Sequence, residues 1–138
     1  AAAPVERILR RYPGVTGVAV FGVPDDRTVD DQVMAVVELD AAGAGDFDPA
    51  AFDAFLAEQR DLGTKWSPRY LRVTRSLPVT ATNKVDKAPL RRDRWVADAD
   101  QVFWRPERRD ALRPMTDADR DEVRGRFAVS GRLERLER

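Results

Sequence analysis

Gln32–Leu39 reads Gln-Val-Met-Ala-Val-Val-Glu-Leu, and no other segment limits the possible folds of this chain as much. Successive side chains of a strand point to opposite faces. Val33, Ala35, Val37 and Leu39 then share one face, and Met34, Val36 and Glu38 share the other. Both faces are apolar except for Glu38, the pattern of a strand buried on both sides. The segment predicts a central strand, with a sheet built around it.

The flanking sequence predicts what surrounds that strand. Pro4 suits a first helical position, and Val5, Ile8, Leu9 and Tyr12 follow at helical spacing until Pro13-Gly14 stops them. The β-branched run Val15–Val23 holds a buried strand over Val18–Phe21, followed by a turn at Gly22–Asp26. Ala41–Phe47 is Gly- and Ala-rich and reads as a loop. Asp48 caps and Pro49 opens a second helix with Phe52, Phe55, Leu56 and Gln59 on one stripe. Tyr70–Thr74 predicts a third strand, Ser76–Asp86 a loop, and Lys87–Arg92 a short helix. Val102–Trp104 and Ala111–Arg113 read as two extended pieces. Thr116 caps a last helix with Val123 and Phe127 inward, and residues from Leu133 are expected to fray. The order predicts an α+β fold, a small sheet of three or more strands flanked by helices, with a C-terminal extended and helical tail. Residues 1–94 form the expected main domain and 95–138 an extension packed on it.

Composition removes whole classes of chemistry. The 138 residues suit one domain, and no apolar run approaches the roughly 18 residues of a membrane span. The chain opens on Ala and shows no charged-then-apolar leader, as expected of an excised or processed piece of a cytoplasmic protein, with contact to a membrane surface left open. It has no Cys and no His, which excludes disulfides, thiol nucleophiles, Cys-type zinc sites and every triad with a His base. Asp25, Asp26, Asp30 and Asp31 lack calcium-loop spacing and read as turn acids, so no metal is expected. Trp66, Trp95 and Trp104 read as packing residues rather than stacking platforms for bases.

The charge balance is even, 24 basic against 24 acidic, which disfavours a nucleic-acid binder. The distribution is not even. Residues 1–83 carry 9 basic and 12 acidic groups, and residues 84–138 carry 15 and 12. Nine basic residues fall within Lys65–Arg94 against only Asp86 and Asp93, which reads as a solvated face with its charge compensated elsewhere in the fold or as a bias toward an anionic ligand or an acidic partner surface. Of the cations 21 are Arg and three are Lys, namely Lys65, Lys84 and Lys87, all in or beside predicted loops. A lysine is a compact charge on a flexible stem, suited to reaching into a site built elsewhere.

A string of motifs names a family. Val5-Glu6-Arg7-Ile8-Leu9, Tyr12-Pro13-Gly14-Val15 and Val18-Ala19-Val20-Phe21-Gly22-Val23-Pro24-Asp25 come first. Lys65-x-x-Pro68 and Leu77-Pro78-x-Thr80-x-Thr82-x-Lys84 follow. In this order they resemble the C-terminal domain of adenylate-forming enzymes, over about residues 4–92. These enzymes include acyl-CoA synthetases, peptide-synthetase adenylation domains and luciferase-type enzymes. The family's usual last motif has Gly before its Lys, where this chain has Asn83. Asn is the residue next most tolerant of positive φ, so the loop is expected to keep its shape.

The resemblance implies that Lys84 serves adenylation by reaching into a large N-terminal domain, to the carboxylate substrate and the α-phosphate. Thr80, Thr82 and Asn83 would shape its loop, the hydroxyls by capping it. Lys87 is similar to the family's downstream basic residue, and with Lys65 it would face CoA or phosphate. The tail, Val102-Phe103-Trp104 through Leu112-Arg113-Pro114-Met115-Thr116, is similar to tails of fatty-acyl-CoA synthetases and fatty-acid transport proteins. A fatty or other hydrophobic carboxylic acid is then the implied substrate, with ATP, Mg2+ and CoA used by the full-length enzyme. The chain has no Ser/Thr/Gly-rich phosphate loop, so alone it is expected to bind no cofactor and to be inactive. A free-standing, non-catalytic domain of the same fold, binding or regulating a partner, is the alternative.

Overall fold

The computed structural model describes residues 2–137, with the side chains of residues 64, 65 and 137 outside that description. Five strands form one sheet in sequence order: β1 (Val15–Val23), β2 (Gln32–Leu39), β3 (Tyr70–Thr74), β4 (Gln101–Trp104) and β5 (Arg113–Pro114). The two-faced apolar segment is β2, antiparallel to β1 with Val18 opposite Val37, and parallel to β3 with Val37 opposite Val73. The parallel step needs a crossover, which α2 (Ala41–Gly45), α3 (Pro49–Glu58) and α4 (Gly63–Trp66) supply.

The pleat divides the interior in two. On one face Val18, Val20, Ala35, Val37 and Leu39 pack with Phe52 and Leu56 of α3, and with Val5, Ile8 and Leu9 of α1 (Ala2–Leu9). Tyr12 closes this side edge-on against Phe52, with centroids 5.0 Å apart. On the other face Ala19, Phe21, Met34 and Val36 meet Leu90 of α5 (Lys87–Asp93) and Val123 and Phe127 of α6 (Asp117–Val129). Each β2 residue from Met34 to Val37 is fully buried, as the sequence pattern requires.

The sheet continues beyond β3. β4 pairs with β3, Leu71 opposite Phe103, and Tyr70 stacks on Trp95 at 4.8 Å. Burial in this aromatic layer pushes the Tyr70 hydroxyl up to about 12. Trp95 and Trp104 are interior, whereas Trp66 stays 39% exposed at the end of α4. Thr116 caps α6 through a reciprocal capping box with Asp119. Leu133–Glu137, where fraying is expected, winds into a 3-10 turn with Leu136 buried.

One expected loop is a helix. Over Ala41–Phe47 the chain forms the one-turn α2, because Asp40 accepts a hydrogen bond from the Gly43 N–H at 2.7 Å. Three alanines and this cap outweigh two glycines.

Candidate functional site

Residues 76–86 leave the sheet as a tight hairpin. Val79 and Val85 form an antiparallel bridge, and the Asp86 N–H donates to the Pro78 carbonyl at 2.9 Å. At the tip the Thr80 N–H donates to the Lys84 carbonyl at 2.7 Å, and the Asn83 N–H turns back to the Thr80 carbonyl at 2.9 Å. A turn followed by a left-handed residue is a standard way to close a short hairpin. Asn83 is that residue, with φ +63°. Asn83 thus holds a backbone conformation that most L side chains avoid. The Thr80 and Thr82 hydroxyls lie 3.1 Å apart, and the Thr80 hydroxyl accepts the Lys84 N–H at 3.2 Å. They cap the loop.

Lys84 is exposed on this scaffold, and among the described residues no carboxylate pairs with its ammonium. Its neighbours are fixed at both feet of the hairpin. At the first, Leu77 is buried and lies so close over Gly17 that a Cβ there would meet it at 2.9 Å. The Leu77 N–H donates to the Glu38 carboxylate at 2.6 Å, whose other oxygen accepts from the Thr16 hydroxyl at 2.8 Å. The second foot is α5, capped by Asp86 through the Ala88 N–H and anchored by buried Leu90. Lys87 ties it down, donating to the Val20 carbonyl at 2.9 Å and pairing with Glu6 at 3.1 Å. Residues from α1, β1 and β2 therefore set where Lys84 stands. Sequence reasoning named Lys84, Thr80, Thr82 and Asn83 but missed Gly17, Glu38 and Glu6. The one signal for Glu38 was its place as the lone acid in an apolar strand.

Lys87 is thus engaged within the chain, and the Lys65 side chain lies outside the described residues. Part of the basic window is engaged within the chain. Arg72 pairs with Asp100 at 2.6 Å, Arg92 with Asp93 at 3.2 Å, and Arg69 donates to the Arg105 and Pro106 carbonyls. The acids at 25–31 behave as a turn. Asp25 accepts from the Arg27 N–H, the Thr28 hydroxyl and the Gln32 amide. Among the described residues no acidic group of three or more is arranged to hold a metal, and no helix is long and apolar enough to cross a membrane.

The chain is thus a small α+β domain, a mixed sheet with helices on both faces that presents Lys84 on a braced hairpin. Residues 4–84 match the model of the AMP-binding enzyme C-terminal domain, and the chain belongs to that family. It is 50% identical over 129 residues to steroid-22-oyl-CoA synthetase of Rhodococcus jostii, covering 93% of this chain and 22% of that protein. It is 52% identical over 101 residues to the medium/long-chain-fatty-acid–CoA ligase FadD17 of Mycobacterium tuberculosis, covering 73% and 19%. Among solved structures, the amide bond synthetase McbA of Marinactinospora thermotolerans superposes with TM-score 0.54 at 38% identity, over 65% of this chain and 17% of that one. The chain spans about a fifth of the length of the curated relatives it matches.

Proposed function

We propose that this domain is the mobile lid of an acid–thiol ligase, and that Lys84 is its adenylation residue. Residues 1–94 would form the lid and 95–138 an extension packed on it. The observation that carries the reading is Lys84 itself, exposed and with no ion pair among the described residues, on a hairpin whose two feet are tied to the sheet. A large N-terminal domain would bind ATP with Mg2+ and the acid, and CoA would enter after adenylation. The likeness to a steroid-acyl and a fatty-acyl CoA ligase supports a hydrophobic carboxylic acid as substrate.

The chemistry suits a lysine. A carboxylate oxygen attacks the α-phosphorus of ATP, an acyl-adenylate forms, and pyrophosphate leaves. Two anions must approach, and charge grows on the phosphoryl oxygens. An ammonium about 4 Å away contributes roughly 1 kcal/mol in bulk water and about 4 kcal/mol at an effective dielectric near 20. Closure of the lid would exclude water and so strengthen the same charge. Rotation of the lid would then withdraw the hairpin and open the acyl-adenylate to the CoA thiolate.

The test separates the half-reactions in the full-length enzyme. Lys84→Ala should abolish most acyl-adenylate formation, read by pyrophosphate exchange. It should leave thioester formation from preformed acyl-adenylate nearly intact in single-turnover assays. Lys84→Arg should also fail, because a planar fork does not replace a point charge in a tight site. Equal loss in both half-reactions rejects the role. Unchanged exchange rejects it too, and places the essential charge elsewhere.

A further inference from the structure

A second cationic feature lies at the far end of α5, and the adenylation reading makes no use of it. Arg94 follows the helix with φ +53° and ψ −120°, a conformation non-glycine residues seldom hold. Its side chain is only 7% exposed. One guanidinium nitrogen, Nη1, donates to the Arg92 carbonyl at 3.1 Å, and the group lies over the Trp95 ring at 5.3 Å. Its Nε is buried with no hydrogen-bond partner, and among the described residues no carboxylate pairs with it. Burial, then the charge of Arg124, holds Arg94 below the usual arginine range.

Arg105 shows how this fold otherwise treats a buried arginine. At 6% exposure it donates to the Pro68 and Asp110 carbonyls and pairs with Asp53 at 2.6 Å. A buried cation without such partners is costly, and backbone strain beside it adds to the cost. Such a residue calls for a missing counter-charge.

The space for one is present. Arg94 lines a cavity of about 220 Å³ together with Arg91, Arg135, Asp31, Gly22 and Pro24. That is several times the roughly 30 Å³ share of one water. Arg135 comes from the C-terminal 3-10 turn, and its Nη1 is oriented by the Asp25 and Thr28 carbonyls. Three arginines and one aspartate line it, a formal excess of two positive charges. A phosphoryl group carries about −1.5 to −2 at neutral pH, and guanidinium forks match its oxygens. We infer that this cavity is an oxyanion site for a phosphoryl group, held by Arg91, Arg94 and Arg135. The bound group would join α5 and the β1–β2 turn to the C-terminal extension.

The experiment titrates the 138-residue chain with inorganic phosphate at constant ionic strength, following arginine side-chain N–H signals by NMR. Saturable one-to-one binding should move the Arg94 Nε–H signal. It should also raise Tm by about 4 °C at a tenfold excess over Kd, relative to chloride. Arg91→Gln and Arg135→Gln, both at positions outside the core, should each weaken binding by about tenfold or more. Lys84→Ala should leave it unchanged, which keeps this site distinct from the adenylation role. Adenosine monophosphate is the second ligand. Affinity equal to that of phosphate identifies free phosphate as sufficient, and tighter binding identifies a nucleotide-borne group. A linear, unsaturable shift overturns the proposal, as does binding that survives the Arg91→Gln/Arg135→Gln double variant.

Discussion

Lys84 and Lys87 are the same residue type, three positions apart in one loop-to-helix passage, yet their surroundings are opposite. Lys87 is drawn inward, with a carbonyl at 2.9 Å and a carboxylate at 3.1 Å, both from elements far away in sequence. Lys84 is held only through its backbone, and its ammonium is left in solvent. The contrast teaches that a mobile charge needs an immobile base. Nearly all the interactions that position Lys84 are made by its neighbours. The side chain that would act can change with little effect on folding, while those that hold it cannot.

Several substitutions can break that contrast. The largest effect is expected from Lys84→Ala in the full-length enzyme. Loss of a preorganised charge donor should lower the adenylation rate by about 10²–10³. Pyrophosphate exchange reads it, and a loss under tenfold would place the essential charge elsewhere. Lys87→Met should act on stability instead. It leaves Glu6 partly buried without its cation, at 14% side-chain exposure, and should cost about 1–2 kcal/mol. Urea denaturation should show a lower midpoint at unchanged slope. A cost below about 0.5 kcal/mol would mean that Lys87 is no strut.

Smaller effects sharpen the same comparison at the hairpin tip. Asn83→Ala should cost about 1 kcal/mol because φ +63° disfavours a Cβ that offers no local hydrogen bond. Asn83→Gly should be neutral or nearly so. If Ala and Gly behave alike in thermal denaturation, the left-handed turn is not what shapes the loop. The smallest effect belongs again to Lys84→Ala, now measured as folding stability. An exposed side chain with no ion pair among the described residues should change it by less than about 0.5 kcal/mol. A Lys84→Ala variant as destabilised as Lys87→Met would erase the distinction between presented and anchoring lysine.

Local chemistry made much of this legible in advance. The alternation in β2, the Asp48-Pro49 start of α3 and the Thr116 cap of α6 are short-range signals, and each appears where the residues indicate. The tolerance of Asn83 for positive φ is equally local. Where reading failed, the deciding interaction was either a cap in a Gly-rich stretch, as with Asp40 and α2, or a contact between distant elements. Glu6 and Lys87 are both ordinary surface charges in sequence, and nothing in either neighbourhood announces the pair. The partners of Arg69 and Arg72 in the basic window were hidden for the same reason, because they lie near residues 100–106.

By itself, then, the sequence determined most of the elements and the central strand, while Lys84 was singled out by a resemblance. The elements depend on periodicity, caps and turn residues, which act within a few positions. Tertiary structure alone decided which cations are neutralised and which are presented. It put Glu6 beside Lys87 and Asp53 beside Arg105, and left the Arg94 Nε buried with no hydrogen-bond partner among the described residues. The physical reason is that a charge's worth depends on its distance from other charges and on its burial. Both are set when strands distant in the chain pair and helices close over them.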